Sequence, residues 1–331
     1  MHIIIVKELI TRLFKWEKPP RKGLLAFEWV VLGYMAVTLL MILFMYTKVH
    51  DPETMLWGRF RILAITLALW GVYRMVPCRL LLLVRVGVQL MLLSWWYPDT
   101  FELNRMLPNM DHVFAQLDQQ IFGCQPALLF AQGWSHPVFS ELMNLGYASY
   151  FFLIALVTVF YFLFRYQDFA RASFVIVASF FAYYLIFIFL PVTGPQYYYL
   201  AIGLDQVAQG IFPQVGDYFA THQQPLPLPG YSDGLFYHMV DNAHSVGERP
   251  TAAFPSSHVG ITTILMLLAW QARSRTLLLT LLPFFLLMCL STVYIQAHYV
   301  VDVFGGLVSA VLFHVMLNGI YTYIIKHSKT L

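Results

Sequence analysis

The chain has 331 residues, 59% of them hydrophobic and 11% charged, with mean hydropathy +0.66 and a formal charge of +3. A soluble domain carries roughly 25% charged residues, so an ordinary soluble protein is excluded and a polytopic membrane protein is the class that fits. The three cysteines, Cys78, Cys124 and Cys289, form no disulfide framework or ligand spacing; Cys78 and Cys289 lie in or beside apolar runs and read as small core hydrophobes.

In chain order, the first stretch is "MHIIIVKELITRLFKWEKPPRK". It mixes Ile, Leu, Phe and Trp with Lys and Arg, as a helix lying in the membrane interface does. Residues 1–23 are therefore expected to form a cytoplasmic or interfacial N-terminal helix, without a cleavable signal peptide. Eight apolar segments follow, at about 24–46, 60–76, 80–97, 141–164, 173–191, 258–272, 276–294 and 299–325. The second and sixth are short or interrupted. The expected fold is an all-α integral membrane protein of about eight transmembrane helices.

Charge orients the spans. With the N-terminus in the cytoplasm, the cytoplasmic segments hold Lys7, Arg12, Lys15, Lys18, Arg21, Lys22, Arg74, Arg79, Arg165, Arg171, Arg273, Arg275, Lys326 and Lys329. The opposite side holds Lys48, Arg59, Arg61, Arg105 and Arg249, and Arg85 falls inside a span. Fourteen cations against five place both termini inside. Two long outer segments result. One, at 98–140, contains "MDHVFAQLDQQIFGCQPALLFAQ" and reads as an amphipathic helix near the surface. The other, at 192–257, is rich in Pro, Gly, Tyr, Asp and His, and is too long to be a mere connector. The organisation expected is residues 1–23, three spans at 24–97, the outer segment at 98–140, a core at 141–325 and a tail at 326–331.

Where the long outer loop enters the sixth span stands "AAFPSSHVGI". Ser256 or Ser257 can cap the new helix, whose first N–H groups lack partners and carry partial positive charge. Such a start suits a phosphate, with His258 in the first turn facing it; a plain helix cap is the alternative. On the same leaflet lies "STVYIQAHYVVDVFGG". His298 and Asp302 are four apart and share a helix face. A carboxylate beside an imidazole fixes its tautomer and stabilises its cation, which makes a nucleophilic or basic histidine; a satisfied polar network is the alternative. In "PVTGPQYYYL", Tyr197, Tyr198 and Tyr199 form either an aromatic belt or a wall of the site with hydroxyls for a headgroup. Arg249, the one cation in the loop 192–257, either grips phosphate with its planar fork or is a solvated loop charge. His136, His222, His238 and His244, with Asp217, Asp233 and Asp241, show no metal-site spacing, so neither a metal nor another cofactor is expected.

At these residues the chain resembles the type-2 phosphatidic acid phosphatase superfamily. Its second motif, Pro-Ser-Gly/Ser/Leu-His, is matched by "FPSSH", and its third, ending His-x3-Asp, by "HYVVD". The likeness is closer to the inositol phosphorylceramide synthases. Their second motif, "AFPSxHxG", falls on Ala253 to Gly260, and their third, "STxYxxxHYxVDxxxG", on Ser291 to Gly306. Their first is rich in Pro and aromatics, as "GPQYYY" is. The match spans about 190–310. The chain departs from the phosphatase pattern at two cations: Asn242 stands where the first motif has Lys, and Ser291-Thr292 opens the third motif without Arg. A dianionic phosphomonoester would be held less well, and a singly charged phosphodiester needs fewer cations.

The resemblance implies that the last five or six helices form the superfamily's bundle. It implies His298 as the nucleophile that forms a phosphohistidine, Asp302 as the holder of its other nitrogen, and His258 as the acid and then the base. Ser256, Ser257 and Arg249 would stabilise charge on the equatorial oxygens, with Gln196, Tyr197 and Tyr198 near the headgroup. The expected activity is transfer of an inositol-phosphate-type headgroup from a phospholipid donor to a lipid hydroxyl acceptor such as that of ceramide. The alternatives are a lipid phosphate or pyrophosphate phosphatase and a non-catalytic lipid-handling membrane protein. The partners expected are these lipids and the bilayer, not nucleic acid. The site is expected on the extracytoplasmic side, with a bacterial inner membrane favoured by the short termini and the lack of glycosylation sequons.

Overall fold

The computed structural model describes residue 11 and residues 13–328, apart from the side chains of Val246 and Ser328. Of the interfacial helix expected at residues 1–23, residues 1–10 and 12 lie outside the described residues. Residues 14–23 are not helical; there the Glu17 N–H donates to the Pro77 carbonyl at 2.8 Å. The chain is all-helical: 74% of it is helix and, among the described residues, there is no strand. It divides into two compact units, Met1–Trp96 and Tyr97–Leu331.

The first unit holds α1 (Ala26–Phe44), α2 (Pro52–Met75) and most of α3 (Arg79–Asn104). Asp51 caps α2, its carboxylate accepting from the Thr54 N–H at 3.2 Å, with Pro52 at the first helical position. Lipid-facing positions are apolar, as at Leu40, Phe44 and Met91, all exposed. Inside, Glu28 of α1 and Arg85 of α3 form a fully buried ion pair, with Arg85 Nε donating to Glu28 Oε1 at 2.8 Å and Nη2 to Oε2. Glu28 Oε2 also accepts the Leu25 N–H at 2.7 Å, and the Arg85 guanidinium lies over the Tyr73 ring of α2 at 5.0 Å. One ion pair thus ties three helices in a place where water cannot solvate either charge. Arg59 sits well inside α2 rather than at the outer edge of a span. It is buried, donating to the Met55 carbonyl at 2.9 Å with its guanidinium 5.2 Å from the Trp96 ring centroid.

The second unit carries the end of α3 and α4 (Asp111–Phe122), α5 (Pro126–Gly133), α6 (Pro137–Ala148), α7 (Tyr150–Phe164), α8 (Tyr166–Phe189), α9 (Pro195–Ile202), α10 (Leu204–Ala208), α11 (Leu235–Gly247), α12 (Ser257–Gln271), α13 (Arg275–Tyr294) and α14 (Val300–Ser328). Helix α8 is its centre: 78% of its apolar window is buried, against 28–33% in the other candidate spans. Helix α12 packs on α14, α13, α8 and α7.

Among the described residues, six helices are long and apolar enough to cross a membrane, or seven if α6 and α7, bent by 47°, make one span. The protein is a multi-pass membrane protein. The sixth apolar segment became α12, whose 15 residues reach only about 22 Å against a hydrocarbon core of about 30 Å. The third apolar segment runs on as helix to Asn104. The outer segment is two helices rather than one, because Gly123 takes a left-handed φ of +70° that closes α4 and Pro126 opens α5.

The buried ion pair yields a test. Arg85→Met leaves Glu28 buried without a partner and should cost about 3–5 kcal/mol, seen as a lower unfolding temperature in detergent. Adding Glu28→Gln should recover most of the loss; no recovery would mean that the pair does not act as a unit.

Candidate active site

The segments that carry the two histidines meet because two glycines let backbones touch. Gly194 has φ +93°, and a Cβ there would lie 2.4 Å from the Ala297 carbonyl oxygen. A Cβ on Gly306 would lie 2.6 Å from the Ser256 carbonyl oxygen. Helix α14 therefore passes against the start of α12, and the Ser256 N–H donates to the main-chain carbonyl of Asp302 at 3.0 Å. The Ala253 N–H donates to the Val192 carbonyl at 2.9 Å. Asn104 Nδ2 donates to Thr251 Oγ1 and to the Phe187 carbonyl.

His298 Nδ1 lies 2.7 Å from the Ala253 carbonyl oxygen and 3.5 Å from Asp302 Oδ2. A carbonyl only accepts, so Nδ1 carries the proton and Nε2 keeps its lone pair. The resemblance implied Asp302 as the holder of the non-nucleophilic nitrogen, and Asp302 Oδ2 does lie near Nδ1. The shorter bond goes to the main chain of the other motif, because Asp302 Oδ2 also accepts the Tyr299 N–H at 2.8 Å. Burial pushes the His298 imidazole down to about 4, the Ala253 carbonyl acting against that shift. The ring is neutral near pH 7.

His258 faces His298 edge-on with ring centroids 5.8 Å apart. It is held between Tyr147 and Tyr150, each 4.5 Å away, and its Nδ1 is buried without a hydrogen bond. Ser256 caps α12, its Oγ accepting the Val259 N–H at 3.4 Å. The first N–H groups of α12, at Ser257 and His258, have no carbonyl partner within a helix. Ser257 lends its carbonyl to the Tyr150 hydroxyl at 3.4 Å.

The remaining candidates divide. Arg249 is half-buried, with Nη1 donating to the Glu248 carbonyl at 2.8 Å. Burial raises the Tyr197 hydroxyl, Glu248 adds to that and Arg249 opposes it, so both charges lie near Tyr197. Tyr198 instead donates to the Pro213 carbonyl at 2.8 Å, and Tyr199 to Gln125 Oε1 at 2.7 Å. Gln196 is buried, and its Oε1 has no hydrogen-bond partner. The cleft of about 310 Å³ lined by Leu128, Leu204, Leu226 and Gln296 includes neither histidine. Ala252 and Gln296 take left-handed φ values of +73° and +63°, backbone strain of about 1–3 kcal/mol each on the two segments that form the pair.

Sequence reasoning passed over two positioning carboxylates. Asp111 of α4 accepts from the N–H groups of Thr193 and Gly194 at 2.7 and 2.8 Å, and from the Tyr299 hydroxyl at 3.0 Å. Asp118, two turns on, accepts from the Val300 and Val301 N–H groups at 2.9 and 3.0 Å and so caps α14. Burial raises both carboxyls, and these N–H donors pull them back down. The signal was their spacing of seven, which puts both on one face of α4; that face is buried with Phe114 and Ala115, while Val113, Leu117 and Ile121 are exposed. The amphipathic helix is turned with its acidic face inward.

A family model described as the PAP2 superfamily matches residues 112–316, more than half of the chain. No curated protein and no solved structure matches it.

Asp118→Ala should cost about 1–3 kcal/mol, since it leaves two buried N–H groups unpaired, and should lower kcat at least tenfold with less change in KM. Thermal unfolding in detergent and steady-state kinetics measure the two. Lower stability with full turnover would separate this clamp from the site.

Proposed function

The chain belongs to the PAP2 superfamily, and from that premise we propose that it is a phosphotransferase that moves an inositol-phosphate-type headgroup from a phospholipid to a lipid hydroxyl such as that of ceramide. Members of the superfamily are phosphatases or phosphotransferases, so lipid phosphatase or phosphotransferase chemistry is the common ground. The observation that carries the finer reading is the histidine pair: His298 with Nδ1 tied down and Nε2 free, and His258 across from it.

In the proposed reaction, Nε2 of His298 attacks the phosphorus of the bound diester. The bond to the diacylglycerol oxygen breaks as His258 gives that oxygen a proton. The charge that appears on the imidazole is met by the Ala253 carbonyl and by Asp302. The N–H groups at the start of α12, with Ser256, Ser257 and Arg249, face the equatorial oxygens. The acceptor hydroxyl then attacks phosphorus, His258 takes its proton, and His298 leaves. Gln196 and Tyr197 remain candidates for headgroup contact; Tyr198 supports the wall through Pro213.

Transfer is preferred to hydrolysis because the site is poor in cations. Asn242 and Ser291-Thr292 stand where the phosphatase motifs place Lys and Arg, and a diester carries one negative charge. The catalytic core is proposed to comprise residues 141–325 together with α4, whose Asp111 and Asp118 hold both site segments. The asymmetry of Lys and Arg supports a site on the extracytoplasmic side with cytoplasmic termini, in a bacterial inner membrane.

Purified protein in detergent, given phosphatidylinositol as donor, should form a new phosphorylated sphingolipid only when ceramide is added. Release of headgroup or phosphate without acceptor would point to hydrolysis instead. His298→Ala should abolish both the product and the acid-labile phosphoenzyme, and full activity in that variant would sink the nucleophile assignment. A pH prediction follows from burial. Nε2 stays unprotonated until the pH approaches 4, so phosphoenzyme formation should persist at pH 5.5, where an imidazole of ordinary pKa of about 6.5 is mostly protonated. A fall centred on pH 6.5 and absent from the acceptor step would show that the ring is not shielded.

A further inference from the structure

Beside the histidine pair lies a polar group that the transfer scheme leaves idle. Helix α11 carries His244, which is 9% exposed, and Glu248 directly follows the helix. His244 Nε2 is buried, makes no hydrogen bond, and lies 3.8 Å from Glu248 Oε2. The His244 ring packs edge-on against Tyr147 at 5.7 Å, and Tyr147 is the ring stacked on His258. His244 acts electrostatically on His258, and the Glu248 carboxylate acts on the hydroxyls of Tyr147 and Tyr197. Glu248 is therefore linked to the proposed acid through two rings, His244 and Tyr147, and directly precedes the cation expected to grip phosphate.

We propose that Glu248 is a specificity-determining residue: its carboxylate, seated beside His244 at the edge of the histidine pair, turns away doubly charged phosphomonoesters and admits singly charged phosphodiesters. This rests on the phosphoryl-transfer reading of the site. The reason is charge balance. The formal charges around the pair and its ring neighbours are those of Asp302, Asp111, Asp118, Glu248 and Arg249, and the Arg249 guanidinium is partly engaged by the Glu248 main-chain carbonyl. With His258 carrying the proton that it gives to the leaving oxygen, the surroundings still have a net negative charge. Coulomb repulsion scales with the product of charges, so a dianion is repelled twice as strongly as a monoanion at the same distance, and the half-buried setting leaves that difference poorly screened. A monoester phosphate gains its second charge with a pKa of about 6, and a diester never does.

The test uses binding in a His298→Ala background, where turnover does not interfere. Short-chain phosphatidate and short-chain phosphatidylinositol are compared at pH 8 on full-length protein in detergent. Glu248→Gln should tighten phosphatidate binding at least tenfold relative to phosphatidylinositol, and Glu248→Asp, which keeps the charge, should leave the ratio as it is. A ratio that moves less than twofold in Glu248→Gln, or equally in both variants, overturns the proposal. If Glu248→Gln does not fold, the unsubstituted chain carries the test. Between pH 8 and pH 5 its affinity for phosphatidate should rise relative to phosphatidylinositol as the monoester gains a proton. Taking the ratio removes whatever the surrounding groups, His244, His258, His298, Tyr147, Tyr197 and Arg249, contribute alike to both lipids. A flat ratio overturns the proposal. A chain that shows the preference yet turns over neither lipid keeps Glu248's role and refutes transfer, so the two failures are distinct.

Discussion

The hydrogen bond from His298 Nδ1 to the Ala253 carbonyl, 2.7 Å long, joins two motifs that lie 45 residues apart. It does more than hold a ring in place. By occupying Nδ1 it decides which nitrogen is the nucleophile, and by using a main-chain carbonyl it makes that decision independent of any side chain's protonation. Both ends are anchored in turn. The Ala253 N–H is bonded to Val192, and the His298 N–H to the Thr292 carbonyl at 3.1 Å. Glycine at 194 and 306 is what allows backbones to come this close, since any side chain would collide with a carbonyl.

The same logic explains why the carboxylates of the second unit are spent on backbone N–H groups. Asp111, Asp118 and Asp302 are all buried. Near or within a membrane a buried carboxylate is costly unless its oxygens are bonded. Here the donors are main-chain N–H groups of Thr193, Gly194, Tyr299, Val300 and Val301, the very residues that flank the first and third motifs. Burial cost and positioning are two sides of one arrangement: the oxygens that accept these N–H groups clamp the site, and only Asp302 Oδ1 among the three acids' oxygens is buried without a hydrogen bond. The ion pair of Glu28 and Arg85 applies the same rule in the first unit, where it joins helices instead of loops.

Much of this was legible before the structure. Hydropathy located the helices, because apolar runs near membrane length have few other readings. His298 and Asp302 do come together, at 3.5 Å, but not on one helix face as the spacing of four suggested, since His298 sits in the bend before α14. What escaped reading has physical reasons. Asp111 and Asp118 were hidden because an amphipathic helix at a membrane interface is ordinarily assumed to hide its apolar face from water, and here Val113, Leu117 and Ile121 are exposed while the acids point inward. The true partner of Nδ1 was hidden because main-chain carbonyls leave no trace in composition. Tyr147 and Tyr150 did not stand out, since nothing in their spacing shows that both rings lie against His258. The three consecutive tyrosines looked alike in sequence and differ in place, with Tyr197 near Glu248 and Arg249 and Tyr198 turned to Pro213.

Under the proposed chemistry, hydrolysis and transfer diverge only after the phosphohistidine forms. At that point water and a lipid hydroxyl compete for one phosphorus and one base. His258 is stacked between two tyrosine rings and faced by a third aromatic edge, His298. Aromatic walls offer water few hydrogen-bond partners, so little ordered water is held against the base. A lipid hydroxyl needs no such partners. It arrives on a molecule already confined to the bilayer beside the site, which raises its effective concentration over that of a free solute. A ring cage around the base therefore favours the acceptor that comes from the membrane, and the scarcity of cations favours a donor with a single charge. The two biases act at different steps, one on which lipid enters and one on which nucleophile completes the turnover, and they select the same reaction.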